Sequence, residues 1–208
     1  MVGFPHAVED DHETIILCRI RMTSRWAEKL TRWRSHTHAG IFYSVDHLHP
    51  FRFRMDLPAK NLHLARGVEI RVGFSCHTFT RAEDEADSEM QPYSMQAHER
   101  RIFCPVRYGL SHSLPEIVRE LPHRNCYFAR RDNYLVIEAH ERLAQEQEYR
   151  VFFDVRKVDQ PDAVLVYIQS AYPADKARGG LGGVRRKKVG FRVLVSHALR
   201  GTRPIEPP

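Results

Sequence analysis

Two periodicities run along this chain. Over Phe51–Leu57 apolar and polar positions alternate, with Phe51, Phe53, Met55 and Leu57 on one face and Arg52, Arg54 and Asp56 on the other. That is the two-residue repeat of a half-buried strand. Val68–Phe74 repeats it, with Val68, Ile70, Val72 and Phe74 inward. Thr14–Met22, Ile41–Val45, Arg101–Val106, Cys126–Ala129 and Tyr134–Glu138 read as further strands, the last two flanking a hairpin turn at Arg130–Asn133. Glu148–Val158 and Ala163–Tyr172 read as long strands joined by the turn Asp159–Asp162, and Val189–His197 as a final one.

Helical spacing occurs twice. Trp26, Leu30 and Trp33 recur behind a candidate cap at Ser24, predicting a helix through Arg34. Leu114, Ile117, Val118 and Leu121 follow Ser113, with Pro115 early and Pro122 as the stop. Residues Arg81–Arg100 hold few apolar side chains and predict a long loop dividing two halves. The pattern as a whole predicts an α+β fold: antiparallel β-sheets with one or two packed helices in each half. The N-terminal α+β half spans residues 13–95 and the C-terminal one residues 101–200.

Composition narrows the class. Apolar residues are 42% of the 208 and charged ones 28%, enough for a packed core and against wholesale disorder. Mean hydropathy is −0.48, and no apolar stretch approaches the length of a membrane span. Met1–His12 lacks the basic start and apolar block of a signal peptide, so a cytoplasmic location with reduced thiols is expected. Cys18, Cys76, Cys104 and Cys126 form no CxxC and read as buried free thiols.

Net charge is +6, which favours an anionic partner. Five of the seven residues Glu83–Glu89 are acidic. The segment Lys176–Lys188 holds six cations and no acid: Lys176, Arg178, Arg185, Arg186, Lys187 and Lys188, spaced by Gly179, Gly180, Gly182 and Gly183. Flexible glycine with clustered cations suits a polyphosphate backbone, whose counterions are released on binding. Histidines cluster at His36, His38, His47 and His49, with Cys76–His77 later. A tetrahedral zinc site would use such groups, but no signature spacing is present, and surface or capping roles are the expectation. Neither a metal nor a cofactor is expected.

The element order from Arg107 to Tyr172 is polar turn, helix, hairpin, long strand, turn, and a long strand ending Gln169–Ser170–Ala171–Tyr172–Pro173. Over Val106 to about Arg200 this order resembles the ribonuclease superfamily that groups barnase, EndoU, colicin and RelE-type toxins. The resemblance implies a site on one sheet face. His112 would be the acid or base, Arg107 and Arg150 would grip phosphate, and Ser170 and Tyr172 would donate to it, with Lys187 and Lys188 steering substrate. It implies a metal-independent ribonuclease of toxin, defence or stress type, cleaving RNA by 2′-hydroxyl attack. The expected partners are RNA or another nucleic acid and an acidic protein such as an antitoxin, with no membrane. Two further readings use the same residues without cleavage: a nucleic-acid-binding module, and a protein-interaction or immunity protein. One pattern opposes the site. Strict alternation places Ser170 and Tyr172 on the same face as Val164, Val166 and Ile168, the more apolar face of that strand.

Overall fold

The computed structural model describes residues 30–59, 65–87, 92–96, 99–129, 133–138, 140, 142–145, 147–175 and 187–207. The expected strand Thr14–Met22, the cap Ser24, the hairpin tip at Arg130–Asp132 and most of the basic glycine-rich segment lie outside them. No helix among the described residues is long and apolar enough to cross a membrane.

The fold is α+β and mostly antiparallel. A hairpin of β1 (His36–His38) and β2 (Ile41–Tyr43) precedes β3 (Phe51–Leu57) and β4 (Arg66–Phe74). Next come β5 (Thr80–Ala82), β6 (Ser94–Gln96) and β7 (Glu99–Phe103), then α1 (Pro105–Ser111) and α2 (Leu114–Arg119). The chain closes with β8 (Asn125–Phe128), β9 (Tyr134–Glu138), β10 (Gln147–Lys157), β11 (Ala163–Asp175), β12 (Lys188–Gly190) and α3 (Phe191–Leu199).

Seven strands form the main sheet in the order β12-β8-β9-β10-β11-β4-β3. All its pairs are antiparallel except β11 with β4, which run parallel from Ala163↔Glu69 to Ile168↔Phe74. That pair corrects the expected division: strands from both sides of residues 81–100 share one sheet, and one apolar cluster runs from Val45 to Ala198. Residues 81–100 are not a plain loop either. They contribute to a three-stranded sheet in the order β5-β7-β6. Part of the acidic run is held inside, where Arg81 Nη2 donates to buried Asp87 at 2.6 Å.

The helices cover one face. Val151, Phe153, Val164, Val166, Ile168 and Ala171 pack there against Leu114, Ile117, Val118, Phe191, Leu194 and Val195. Val158, Ala163 and Leu165 face the other way, with Tyr167 and Leu30 against them.

The expected final strand Val189–His197 is a strand only as far as Gly190. Beyond it Phe191, Leu194, Val195 and Ala198 are all buried, at the spacing of one helical stripe. Gly201 closes that helix at φ 69°, with Gly201 N–H donating to the Ala198 carbonyl and Thr202 N–H to that of His197, both at 2.9 Å. The expected polar turn 107–112 is instead α1, entered at Pro105. Ser113 does not cap α2. Its backbone is already helical, and its hydroxyl turns back to the Leu110 carbonyl at 2.8 Å.

Candidate functional site

α1 carries most of the polar chemistry, because each of its turns meets a different neighbour. Its carboxyl end brings two histidines together from opposite halves of the sequence. The rings of His47 and His112 stack with centroids 3.9 Å apart and planes 16° from parallel. His47 follows β2 in a short 3-10 turn, Asp46–Leu48, pinned by buried Leu48. His112 ends α1 and is exposed. Tyr108, one turn back, meets both rings edge-on, at 5.6 Å from His47 and 4.9 Å from His112.

Hydrogen bonding fixes the His47 tautomer. Ser111 Oγ donates its one hydrogen to the Tyr108 carbonyl at 2.7 Å. The 2.8 Å contact between Ser111 Oγ and His47 Nε2 is therefore donated by His47. Neutral His47 carries its proton on Nε2, and its lone pair is on Nδ1.

The two rings titrate below the usual imidazole value. Burial, reinforced by the His112 charge, pulls His47 down to about 4, against a smaller opposing effect of Asp46. Burial lowers His112 too, and the nearby Arg142 guanidinium adds to it. Arg142 reaches α1 because residue 109 is a glycine. Arg142 Nη1 donates to the Gly109 carbonyl at 3.0 Å and lies 3.1 Å from where a Cβ would stand.

A stability consequence follows from the sign of the His47 shift. Between pH 6.5 and about 4 the unfolded chain takes up the proton and the folded one does not. Stability conferred by neutral His47 is complete above pH 6.5 and is lost as pH falls towards 4. Urea titrations at pH 7 and pH 4.5 should show a drop in unfolding free energy on the order of 2–3 kcal/mol. His47→Gln should remove most of that difference.

At the other end of α1, Arg107 turns towards β11. Its Cζ lies 5.3 Å from the centre of the Tyr172 ring, and its Nη1 donates to the carbonyls of His77 at 3.1 Å and Thr80 at 2.8 Å. Tyr172 faces Arg150 across the β10–β11 ladder, and Ser170 faces Phe152. Tyr172 also stacks on Phe152, centroids 5.6 Å apart.

The objection from alternation disappears at a bulge. Phe152 pairs with Ser170 but Phe153 with Ile168, so Gln169 is an extra residue in β11. Beyond it Ala171 takes the core face, and Ser170 and Tyr172 pass to the face opposite Val164, Val166 and Ile168. Gln169 is held in place by Asn133 Nδ2, 2.8 Å from its Oε1, and by Asp154 Oδ2, 3.0 Å from its Nε2.

The expected site residues thus divide. Arg107, Tyr172, Ser170 and Arg150 gather at one end of β11. Arg150, however, is 2% exposed and ion-paired with Glu148 at 2.6 Å; it is a buried pair member, not a surface grip on phosphate. The ring contacts of His112 are with His47 and Tyr108, not with Tyr172. Lys187 donates to the Pro207 carbonyl and Lys188 is exposed on β12. Lys176, Arg178, Arg185 and Arg186 lie outside the described residues. Sequence reasoning missed His47 as the partner of His112; its one signal was membership of the early histidine cluster. Of the remaining early histidines, His36 and His38 pack on aromatics, 4.9 and 5.6 Å from the Phe103 ring, and His49 Nε2 lies 3.4 Å from the Asp46 carboxylate. No three His, Cys, Asp or Glu side chains converge on a metal-binding geometry among the described residues.

Comparison with known families places the chain. The model of the YjaZ family matches residues 35–199, a span that opens just before β1 and closes with α3. The chain belongs to that family. No curated protein and no solved structure matches it.

Proposed function

We propose that this YjaZ-family protein cleaves RNA phosphodiesters by 2′-hydroxyl attack, with His47 and His112 making the two proton transfers. The observation that carries the reading is the stacked imidazole pair on the rim of α1, one ring half-buried and the other exposed. Two titratable groups whose surroundings push their affinities apart are suited to opposite proton roles. His47, at about 4, is the member left neutral when the pair holds one proton, and its Nδ1 is the base. His112 then carries the proton and is the acid.

In this reading Nδ1 of His47 takes the proton from the 2′-hydroxyl. The 2′-oxygen bonds to phosphorus, the bond from phosphorus to the 5′-oxygen breaks, and protonated His112 supplies the proton that oxygen needs. The products are a 2′,3′-cyclic phosphate and a free 5′-hydroxyl. Arg142, close enough to depress His112, supports the charge on the non-bridging oxygens. The two imidazoles supply both proton transfers, so the step draws on no metal ion.

The pH profile tests the assignment. Activity on a single-stranded RNA oligonucleotide should be bell-shaped. It should rise as His47 loses its proton near pH 4 and fall as His112 loses its own below 6.5. An optimum on the acid side supports the pair. A rate that climbs without a maximum through pH 8 contradicts it, and oligonucleotide bound in a salt-dependent way but left intact selects the non-catalytic binding module.

A further inference from the structure

We propose that the β1–β2 hairpin is a substrate arm on which Phe42 stacks against a base of single-stranded RNA. The hairpin has two unlike faces, and its register fixes which is which. Directly opposed residues share a face, so His36 with Tyr43 and His38 with Ile41 lie on one side, and Thr37 with Phe42 on the other. The first side is the packed one: the rings of His36, His38 and Tyr43 lie 4.9, 5.6 and 4.8 Å from that of buried Phe103. Thr37 and Phe42 face solvent, and Phe42 is 69% exposed. No other Phe, Tyr or Trp among the described residues is exposed.

The ring is presented on a fixed support. Ala39 and Gly40 turn the chain with both φ angles positive, 48° and 77°, the tight turn whose twist matches the flanking strands. A two-stranded ribbon is marginal by itself. This one is anchored by three rings on Phe103 and, just past β2, by Tyr108, whose hydroxyl donates to the Ser44 carbonyl at 2.9 Å. A side chain held ready in this way loses little freedom when it binds.

Charge and size select the occupant. Residues 30–45 hold Arg32 and Arg34 and no acid. Both arginines are exposed, and neither has a carboxylate within ion-pair distance among the described residues. The surroundings of the ring thus favour a polyanion. One ring with Ile41 beside it is far less than the roughly 800 Å² that a stable protein partner covers on each side, whereas a base needs a single ring face. The arm also continues into the imidazole site. Tyr43, the next residue, meets the Tyr108 ring at 5.0 Å, and Tyr108 meets His112 at 4.9 Å. His47 follows Phe42 by five positions, at most about 18 Å of extended backbone, a span of a few nucleotides. The choice of RNA as the strand rests on the cleavage reading; stacking of a base on Phe42 does not.

The test is fluorescence anisotropy with a 2′-O-methyl oligoribonucleotide, whose blocked 2′-oxygen cannot attack phosphorus, offered as a single strand and as a duplex. Wild-type protein should bind the single strand, more weakly as salt rises. Phe42→Ala and Phe42→Leu should each bind it about tenfold more weakly. Their salt slope and their midpoint of thermal unfolding should match wild type, because the ring lies outside the core. Phe42→Trp should bind at least as tightly as wild type. A duplex, whose bases are already stacked, should not distinguish the four proteins. Where RNA is cut, Phe42→Ala should raise KM and leave kcat unchanged. Wild-type protein that ignores the single strand, or Phe42→Ala and Phe42→Leu that bind it as wild type does, overturns the arm. Phe42→Leu binding like wild type while Phe42→Ala does not also overturns it, since that contact is apolar and not stacked. Weaker binding of Phe42→Ala to phosphatidylserine vesicles, with oligonucleotide binding unchanged, overturns it in favour of an anionic membrane. A strand held through Phe42 but never cut as unmodified RNA removes the cleavage reading alone, and cleavage by wild-type protein with Phe42→Ala binding unaltered removes the arm alone.

Discussion

His112→Ala should reduce the first-order rate of RNA cleavage by about 10²–10⁴-fold, the contribution of a positioned proton donor. His47→Ala should lose a comparable factor, and the double variant little more than either single one, because the two rings act as one acid–base unit. His112 is exposed at the end of a helix, so its replacement leaves the core intact and the folded protein can be assayed directly. His47 is half-buried and bonded to Ser111. His47→Gln therefore accompanies the alanine variant, since its amide can still donate to the Ser111 hydroxyl while offering no basic nitrogen. The discriminating quantity is the shape of the pH profile in the residual activity. Loss of His112 should abolish the alkaline limb, and loss of His47 the acid one. If His112→Ala cuts the oligonucleotide at the wild-type rate across pH 4–8, the imidazole pair is a packing feature and the cleavage reading fails with it.

The sequence pattern exposes some of this site and hides the rest for definite physical reasons. β3, β9 and the two long strands show in the alternation because each has a face packed on the core. α3 was hidden because valines and a phenylalanine raise strand propensity locally, whereas tertiary packing selects the wider repeat of Phe191, Leu194, Val195 and Ala198. α1 was hidden because Arg107, Tyr108 and Gly109 break the apolar stripe; each is used by a neighbour, β11, His47 and Arg142 respectively. His112 could be singled out by its place beside a helix. His47 could not be paired with it, since the contact spans 65 positions and depends on how β2 docks on α1. The same long-range pairing hides the joining of the halves: the parallel contact of β11 with β4 leaves no local signal in either strand.

Deletion of Gln169 should leave the main sheet folded, lowering the midpoint of thermal unfolding by no more than about 10 °C. The reason is parity. A strand alternates its side chains with a period of two, and Gln169 is the extra residue of β11 that no residue of β10 faces. β11 is fixed upstream by Val164, Val166 and Ile168, all fully buried and paired with β4 and β10. With Gln169 removed, Ser170 follows Ile168 directly, and regular alternation then gives the faces that the bulge gives now. Ser170 points away from the core, Ala171 enters it, and Tyr172 points away again, where it stacks on Phe152 and meets Arg107. What the deletion loses is the side-chain bonds of Gln169 to Asn133 and Asp154, worth about 1 kcal/mol each. Gln169→Ala keeps the residue count and loses the same bonds, so the two variants should unfold within a few degrees of each other. A deletion that unfolds the sheet while Gln169→Ala does not would mean that alternation alone does not set the faces beyond Ile168, and that the bend the extra residue puts into β11 is needed to bring Tyr172 to Arg107.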